Sequence, residues 1–263
     1  MEPNVVLIIN CFNSERFLNE TAENLLQQSY KNLTLLFVDN KSTDKTLTIL
    51  RKYNKKSSKI KLYILERHLN LVEARNEALN YLKKNLNFDF FAFCDSDDLW
   101  DPNWVSYLVN IGKGFDLIFS NGFEFTIDNN GKKSYRIAES TLAIKKYDAF
   151  SSPLFLQSAI FSKNILNTLG DKFLDLNLPM LYDIDLFLRI QKHSFNYLHV
   201  SKKLFFYRIH THSLTSLNPL SILKERYYIT RKNNLPKMIF VIKLLFYFFR
   251  LNKIFKFILK IAS

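Results

Sequence analysis

Phe90-Phe91-Ala92-Phe93-Cys94-Asp95-Ser96-Asp97-Asp98 is an apolar run that opens directly onto three carboxylates. A short, continuous apolar run closed by a polar turn is the pattern of a strand buried on both faces of a parallel sheet. We therefore expect a strand at Phe88–Phe93, delivering Cys94–Asp98 at its carboxyl end. In open α/β sheets ligands bind at that end of the strands. Three like charges so close together are unfavourable without compensation. A divalent cation that also bridges phosphates supplies it, and Mg2+ or Mn2+ suits mixed carboxylate and phosphate oxygens. The alternative is a solvated loop in which Ser96 or Asp101 caps the next helix.

Working outward from this stretch, strand and helix signals alternate through the first half. Val5–Asn10, Leu33–Val38 and Lys61–Leu65 read as further buried strands. Between them lie helical patterns at Ser14–Gln28, from Thr43 or Asp44 to Lys52, and at Leu71–Lys84. Helices alternating with apolar strands imply a mostly parallel central sheet with right-handed crossovers, an α/β fold flanked by helices. Beyond Trp100 the rhythm changes. A short helix is expected from Asp101-Pro102 to about Asn110, with strands at Asp116–Ser120 and Gly122–Ile127 around a turn. Asp128-Asn129-Asn130-Gly131 is a hairpin signal. Phe161–Leu169 and Asp183–Lys192 read as helices, and Phe195–Val200 and Lys203–Tyr207 as strands.

The chain has 263 residues and a net charge of +13, unevenly distributed. Residues 231–263 carry +8 with no acidic residue, which leaves +5 for the rest. In that tail the basic residues alternate with Phe, Ile and Leu, which argues for an anionic lipid surface and against nucleic acid. Lys243, Arg250, Lys253, Lys256 and Lys260 fall on one arc at helical spacing, so 236–261 is expected to be an amphipathic helix, or two joined near Leu251-Asn252. A helix that covers the domain with its lysines outward is the competing reading. The two cysteines, Cys11 and Cys94, sit inside apolar runs and read as buried residues of a reducing compartment. With no signal peptide and no uncharged apolar stretch of bilayer length, a cytoplasmic location is expected.

A second strand end has the same character. Phe37-Val38-Asp39 is followed by Asn40-Lys41-Ser42-Thr43-Asp44. Asp39 is suited to accept a hydrogen bond from a base edge, whereas Asp44 is accounted for as a helix cap. Neither stretch carries the glycines of a dinucleotide fingerprint or a phosphate-binding loop.

Together these stretches resemble glycosyltransferase family 2, the inverting family with the GT-A nucleotide-diphospho-sugar transferase fold. Ile8 to Asn13 resembles the opening strand and turn, with Glu15 just beyond, and Val38 to Asp44 resembles the donor-binding stretch. The family's second Asp and a Gly are replaced by Asn40 and Lys41. His68 to Asn76 resembles a segment usually written Asn-Lys-Gly-Leu-Ser-x-Ala-Arg-Asn; Ala74, Arg75 and Asn76 hold, while His68, Asn70 and Val72 depart. Leu181 to Arg189 resembles the acceptor-side motif, with Tyr182 in place of its Glu. Tyr207-Arg208-Ile209-His210 with Ser213 and Thr215 resembles a late motif.

The resemblance implies roles for these positions. Asp39 is expected at the base, Asp95 near the ribose or sugar, and Asp97 on a Mn2+ or Mg2+ ion. Asn13, Glu15, His210 and Ser213 are expected around the donor, and Arg75 at the donor phosphate or the first Asp cluster. Asp183 is the expected general base, with Asp185 the fallback. Residues 1–220 would form the transferase domain, donor half 1–100 and acceptor half 101–220, with 221–263 a basic helical extension. The implied reaction moves a sugar from a UDP-hexose or UDP-N-acetylhexosamine to a glycan or lipid-linked acceptor. A bacterial cell-surface glycan and a location on the inner face of the cytoplasmic membrane go with it. A non-catalytic nucleotide- or nucleic-acid-binding protein on the same fold is the alternative.

Overall fold

The computed structural model describes residues 2–128, 130–138, 155–210, 219–238 and 240–241. The first half follows the alternating pattern. Strand β1 (Val5–Cys11) leads to helix α1 (Leu18–Leu26), β2 (Leu33–Asp39) to α2 (Thr46–Lys56), and β3 (Ile60–Ile64) to α3 (Leu71–Asn85), before β4 (Phe90–Asp95). These four strands are parallel in the order β3-β2-β1-β4. Alternate residues of β1 feed opposite layers, as the two-residue period of a strand requires. Val5, Leu7, Ile9 and Cys11 pack toward α1 and α2, and Val6 and Ile8 toward α3. Both faces being covered explains why the strands read as unbroken apolar runs.

The second half extends this sheet in mixed orientation. A two-residue strand β5 (Leu99–Trp100) and helix α4 (Trp104–Ile111) precede β6 (Leu117–Ile127) and β7 (Lys133–Ala138). Then come β8 (Ala159–Ser162), α5 (Lys163–Leu169), α6 (Tyr182–Lys192), β9 (Tyr197–Arg208) and α7 (Pro219–Lys232). The sheet continues past β4 as β8-β6-β9-β5, with β7 paired to β6.

The expected helix over Phe161–Leu169 begins two residues late. Phe161 and Ser162 belong to β8, and the Ser162 hydroxyl accepts from the Ile165 amide to start α5. The two short strands expected around residue 121 are one strand, β6, whose register with β9 shifts at Ser120–Gly122. Gly122 permits it: a Cβ there would lie 2.4 Å from the Phe205 carbonyl oxygen. Likewise 195–200 and 203–207 merge into β9. The hairpin at 128–131 forms, with the Asp128 carboxylate accepting from the Asn130 and Lys132 amides.

Helix α7 lies within the segment read from sequence as an extension, and it docks on α6. Ile229 packs with Leu178, Ile184 and Leu188. The buried Glu225 accepts from the Met180 and Leu181 amides at 3.1 and 2.8 Å, satisfying backbone donors at the entry to α6. Most of 236–261 lies outside the described residues. Among the described residues no helix is long and apolar enough to cross a membrane.

Candidate active site

The carboxyl ends of β1, β2 and β4 lie side by side, because Cys11 is in register with Asp39 and Asn10 with Asp95. Asp39 ends β2 at 1% exposure, and neither carboxylate oxygen has a hydrogen-bond partner among the described residues. A buried, unpaired carboxylate costs several kcal/mol. A ligand that donates a hydrogen bond there would offset that cost. The turn after it needs no glycine at 41: Lys41 adopts φ of 59°. Asn40 holds the turn by donating to the Leu69 carbonyl at 2.7 Å and accepting from the Leu69 amide at 2.9 Å. Burial first, then the Asp39 charge, pushes the Cys11 thiol well up, so it is a packing group and not a nucleophile.

The loop after β1 supports the rim from below. Asn13, also left-handed at φ of 50°, accepts from the Thr43 amide at 2.8 Å. Glu15 accepts from the Lys45 amide at 3.0 Å, and its own amide donates to Asp44. Burial raises the Asp44 pKa, but hydrogen bonds from Thr46 and Glu15 outweigh it and hold the group below its ordinary value. Ser14 bonds the Ser96 hydroxyl at 2.7 Å, tying this loop to the carboxylate cluster. Asn13 and Glu15, expected around the donor, thus have side-chain oxygens engaged with the 43–45 backbone and brace the loop.

Within the cluster each carboxylate has a different neighbour. Asp95 accepts from Arg75 at 2.5 Å and from the Gln157 amide. Asp97 Oδ2 lies 2.8 Å from His210 Nε2, and the His210 ring packs on Phe17 with centroids 5.1 Å apart. Burial and then the Asp95 charge raise the Asp97 pKa, against the opposing pull of His210. Asp98 is fully buried, and burial followed by Asp97 and Asp95 drives its pKa well above the carboxylate range. Its Oδ1 accepts from the Arg208 amide at 2.7 Å. Arg208 also donates to the Asp97 carbonyl and, at 2.6 Å, to Glu20 of α1. This buried guanidinium fixes the backbone on which Asp97 is presented.

Arg75 reaches the cluster because Asn70 and Glu73 form a reciprocal capping box that starts α3 one turn earlier. The guanidinium is almost fully buried, shared between Asp95 and the Tyr182 hydroxyl. Of the two expectations for Arg75, the structure thus has the first Asp cluster. Burial raises the Tyr182 pKa to about 12, with Arg75 opposing and Asp95 and Asp183 assisting, so the phenol is neutral. Asp183 follows in the first turn of α6, half-buried, its carboxylate accepting from the Ile184 amide at 2.8 Å.

Asp185, the expected fallback base, has different surroundings. It is fully buried, accepting from Arg189 at 2.8 Å, Lys232 at 2.9 Å and Asn233 at 3.0 Å. These three donors come from α6 and the end of α7, and they engage both of its oxygens. Ser213 lies outside the described residues. Sequence reading missed Gln157, Phe17 and Glu20, whose roles arise from contacts across more than sixty residues.

Among the described residues no group of three or more His, Cys, Asp or Glu side chains could hold a metal ion. The Asp97 carboxylate and the His210 imidazole, 2.8 Å apart, are two adjacent groups of metal-ligating type. That set fits Mn2+ or Mg2+, which commonly take one or two protein ligands and complete their shell with phosphate oxygens and water.

Known proteins share this chain's family and fold. Glycosyl transferase family 2 matches over residues 6–173. An uncharacterized glycosyltransferase of Rickettsia typhi is 28% identical over 207 residues, 74% of this chain and 62% of that protein. The Escherichia coli UDP-Glc:alpha-D-GlcNAc-diphosphoundecaprenol beta-1,3-glucosyltransferase WfgD is 29% identical over 142 residues, 54% of each chain. The chain thus spans less than two thirds of the length of these relatives. S. aureus TarS 1-349 in complex with UDP-GlcNAc aligns with a TM-score of 0.66 at 20% identity, covering 88% of this chain and 65% of that one. The mannosyltransferase PcManGT from Pyrobaculum calidifontis, in complex with GDP-Man and Mn2+, gives 0.60 at 17% identity, covering 82% and 60%. These likenesses establish the GT-A fold. Because the family match spans both carboxylate-bearing strand ends, Asp39 and Asp95–Asp98, the chain belongs to glycosyl transferase family 2.

Proposed function

We propose that this chain transfers a sugar from a nucleoside-diphosphate sugar to a hydroxyl of a glycan or lipid-linked acceptor, with inversion. The observation that carries the reading is the pairing, on one sheet rim, of an unpartnered buried carboxylate at Asp39 with the Asp97–His210 set. The first suits a nucleobase and the second a metal-bound diphosphate. Asp39 accepts from the base. Asp95, held between Arg75 and Gln157, faces the ribose or sugar. Arg75 acts through Asp95, because both its terminal nitrogens are already engaged.

Asp97 and His210 would hold Mn2+ or Mg2+, which neutralises charge on a departing diphosphate when bound. Asp183 takes the proton from the acceptor hydroxyl, which attacks the anomeric carbon opposite the leaving nucleoside diphosphate. One displacement inverts that carbon and needs no covalent enzyme intermediate. Tyr182 stands where the family has a carboxylate, so Arg75 faces one acidic partner fewer. UDP-GlcNAc and GDP-Man, held in the TarS and PcManGT complexes, are the first donors to test, together with UDP-glucose.

The basic 236–261 segment would hold the enzyme against an anionic membrane on the inner, cytoplasmic face, where a lipid-linked acceptor is presented. Residues 1–220 then supply the catalysis and the tail the location. The test is a donor screen by nucleoside-diphosphate release, with and without Mn2+ and with a polyprenyl-diphosphate-linked sugar as acceptor. Acceptor-dependent release from at least one donor is expected. Absence of any donor binding, beside tight and salt-sensitive RNA binding, would point to the nucleic-acid alternative.

A further inference from the structure

We infer that the outer face of α7, together with residues 237–241, is a docking surface for an anionic lipid bilayer, held at the Asp183 end of the domain. This rests on reading 236–261 as the membrane-facing segment, and it extends that contact from the tail to the folded domain. Helix α7 has two faces. Its inward stripe, Glu225, Ile229 and Asn233, is buried against α6 and its entry. Its outward stripe is Leu220, Lys224, Tyr227 and Arg231, all exposed. The three- and four-residue spacing keeps these four on one side of the helix.

The chain after α7 adds to this face. Asn234 turns it with φ of 53°, and the Phe240 ring comes back to that of Tyr227, centroids 5.7 Å apart. Residues 237–241 thus run back along α7, where Met238 is 73% exposed and Val241 52%, beside Leu220 at 65% on the helix itself. Single exposed apolar residues are ordinary, whereas a contiguous apolar patch marks an interaction surface. Charge identifies the partner. From Pro219 to Ser263 the sequence holds ten Lys and Arg against one acidic residue, Glu225. Glu225 is buried and engaged with the Met180 and Leu181 amides. The face therefore shows Lys224, Arg231 and Lys237 with no carboxylate of its own beside them. Exposed apolar and tyrosine side chains interleaved with Lys and Arg suit the headgroup boundary of an anionic bilayer.

The packing of α7 on α6 sets where that bilayer lies. Glu225 meets Met180 and Leu181 at the entry to α6, and Asn233 meets Lys192, its last residue. The two helices run side by side in the same sense. Leu220, five residues before Glu225, therefore projects about 7.5 Å further along α7, past the entry to α6. Asp183 lies in the first turn of α6. The lipid-facing stripe thus begins at the end of the domain that carries the proposed base, where a lipid-linked hydroxyl is needed.

The test is flotation of the full chain with two kinds of vesicle, pure phosphatidylcholine and equimolar phosphatidylcholine and phosphatidylglycerol. Wild type is compared with three double variants: Tyr227→Ser with Met238→Ser, Lys224→Ser with Arg231→Ser, and, in the tail, Lys253→Ser with Lys256→Ser. Tighter binding to the anionic vesicles is expected for wild type. Loss of the two apolar side chains should weaken it about tenfold. Loss of Lys224 and Arg231 should weaken anionic binding alone, about fivefold for each charge. Urea midpoints of both α7 variants should match wild type, because the side chains are exposed. Anionic binding that falls with the tail variant but with neither α7 variant overturns the surface and leaves the tail reading standing. Binding that needs the α7 residues and ignores the tail charges does the reverse. Lowered urea midpoints in the α7 variants overturn the surface too, since they show it covered by the chain itself. Wild type that floats with neither vesicle removes both readings, whether it instead binds RNA or pairs with a second copy through Met238.

Discussion

Nε2 of His210 lies 2.8 Å from Oδ2 of Asp97, although the two residues are 113 positions apart. β9 runs antiparallel to β5, and Arg208 locks the join by donating to Asp98 and to the Asp97 carbonyl. The pair is therefore built by the sheet and not by a flexible loop alone. Asp97→Asn is expected to lower donor turnover roughly 10²–10³-fold and to abolish its response to Mn2+. His210→Ala should instead raise the Mn2+ concentration needed for half-maximal turnover about tenfold. Nucleoside-diphosphate release across a Mn2+ titration checks both. Wild-type Mn2+ response in Asp97→Asn would remove this residue from the metal site.

Asp183 and Asp185 are two residues apart on α6, and their surroundings separate them completely. Asp183→Asn should leave donor affinity unchanged and cut acceptor-dependent turnover roughly 10²–10⁴-fold. Asp185→Asn should destabilise the fold by about 2–3 kcal/mol, since it disturbs a buried ion pair with Arg189 and Lys232. Turnover per folded molecule should persist. Urea midpoints beside single-turnover rates distinguish the two outcomes. If Asp183→Asn turns over normally, the base lies elsewhere.

Much of this was legible from residue types alone, for a physical reason. Strands β1, β2 and β4 are buried on both faces, so their apolar runs and the carboxylates that end them stand out in the sequence. What decides between Asp183 and Asp185 is different: Lys232 and Asn233, 47 and 48 residues beyond Asp185, consume it in the folded state. No local pattern announces such a contact. The same holds for Asn13 and Glu15, whose partners Thr43 and Lys45 come from the next strand end. β8 was hidden because its four residues run straight into the apolar positions of α5.

Lys41 provides a prediction about stability alone. It occupies the left-handed region at φ of 59°, a conformation costing an L-residue about 1–2 kcal/mol. Lys41→Gly removes that cost while adding about 0.5–1 kcal/mol of unfolded-chain entropy. A net gain of roughly 0.5–1 kcal/mol is expected, read as a higher urea midpoint at unchanged slope. Lys41→Ala retains the strained conformation and should give no such gain. Equal gains from both variants would mean that the lysine side chain, and not the backbone angle, is the source of strain.

The docking of α7 should be sensitive to acid. Burial raises the Asp175 pKa, but the hydrogen bond from Lys232 and further bonds from Asn177 and Tyr228 outweigh it, leaving a folded value below the ordinary one. A carboxylate with a depressed folded pKa stabilises the fold fully above its unfolded pKa, about 3.9. That contribution disappears as pH falls through the lower, folded value. Asp175→Asn should therefore be less stable than wild type at pH 7, by roughly 0.5–1 kcal/mol for this ion pair. The gap should close below about pH 4, where the wild-type carboxyl also protonates. Urea unfolding from pH 7 down to pH 3 measures it directly. A gap that stays constant over that range would show that Asp175 holds α7 through neutral hydrogen bonds, and that the Lys232 charge contributes nothing.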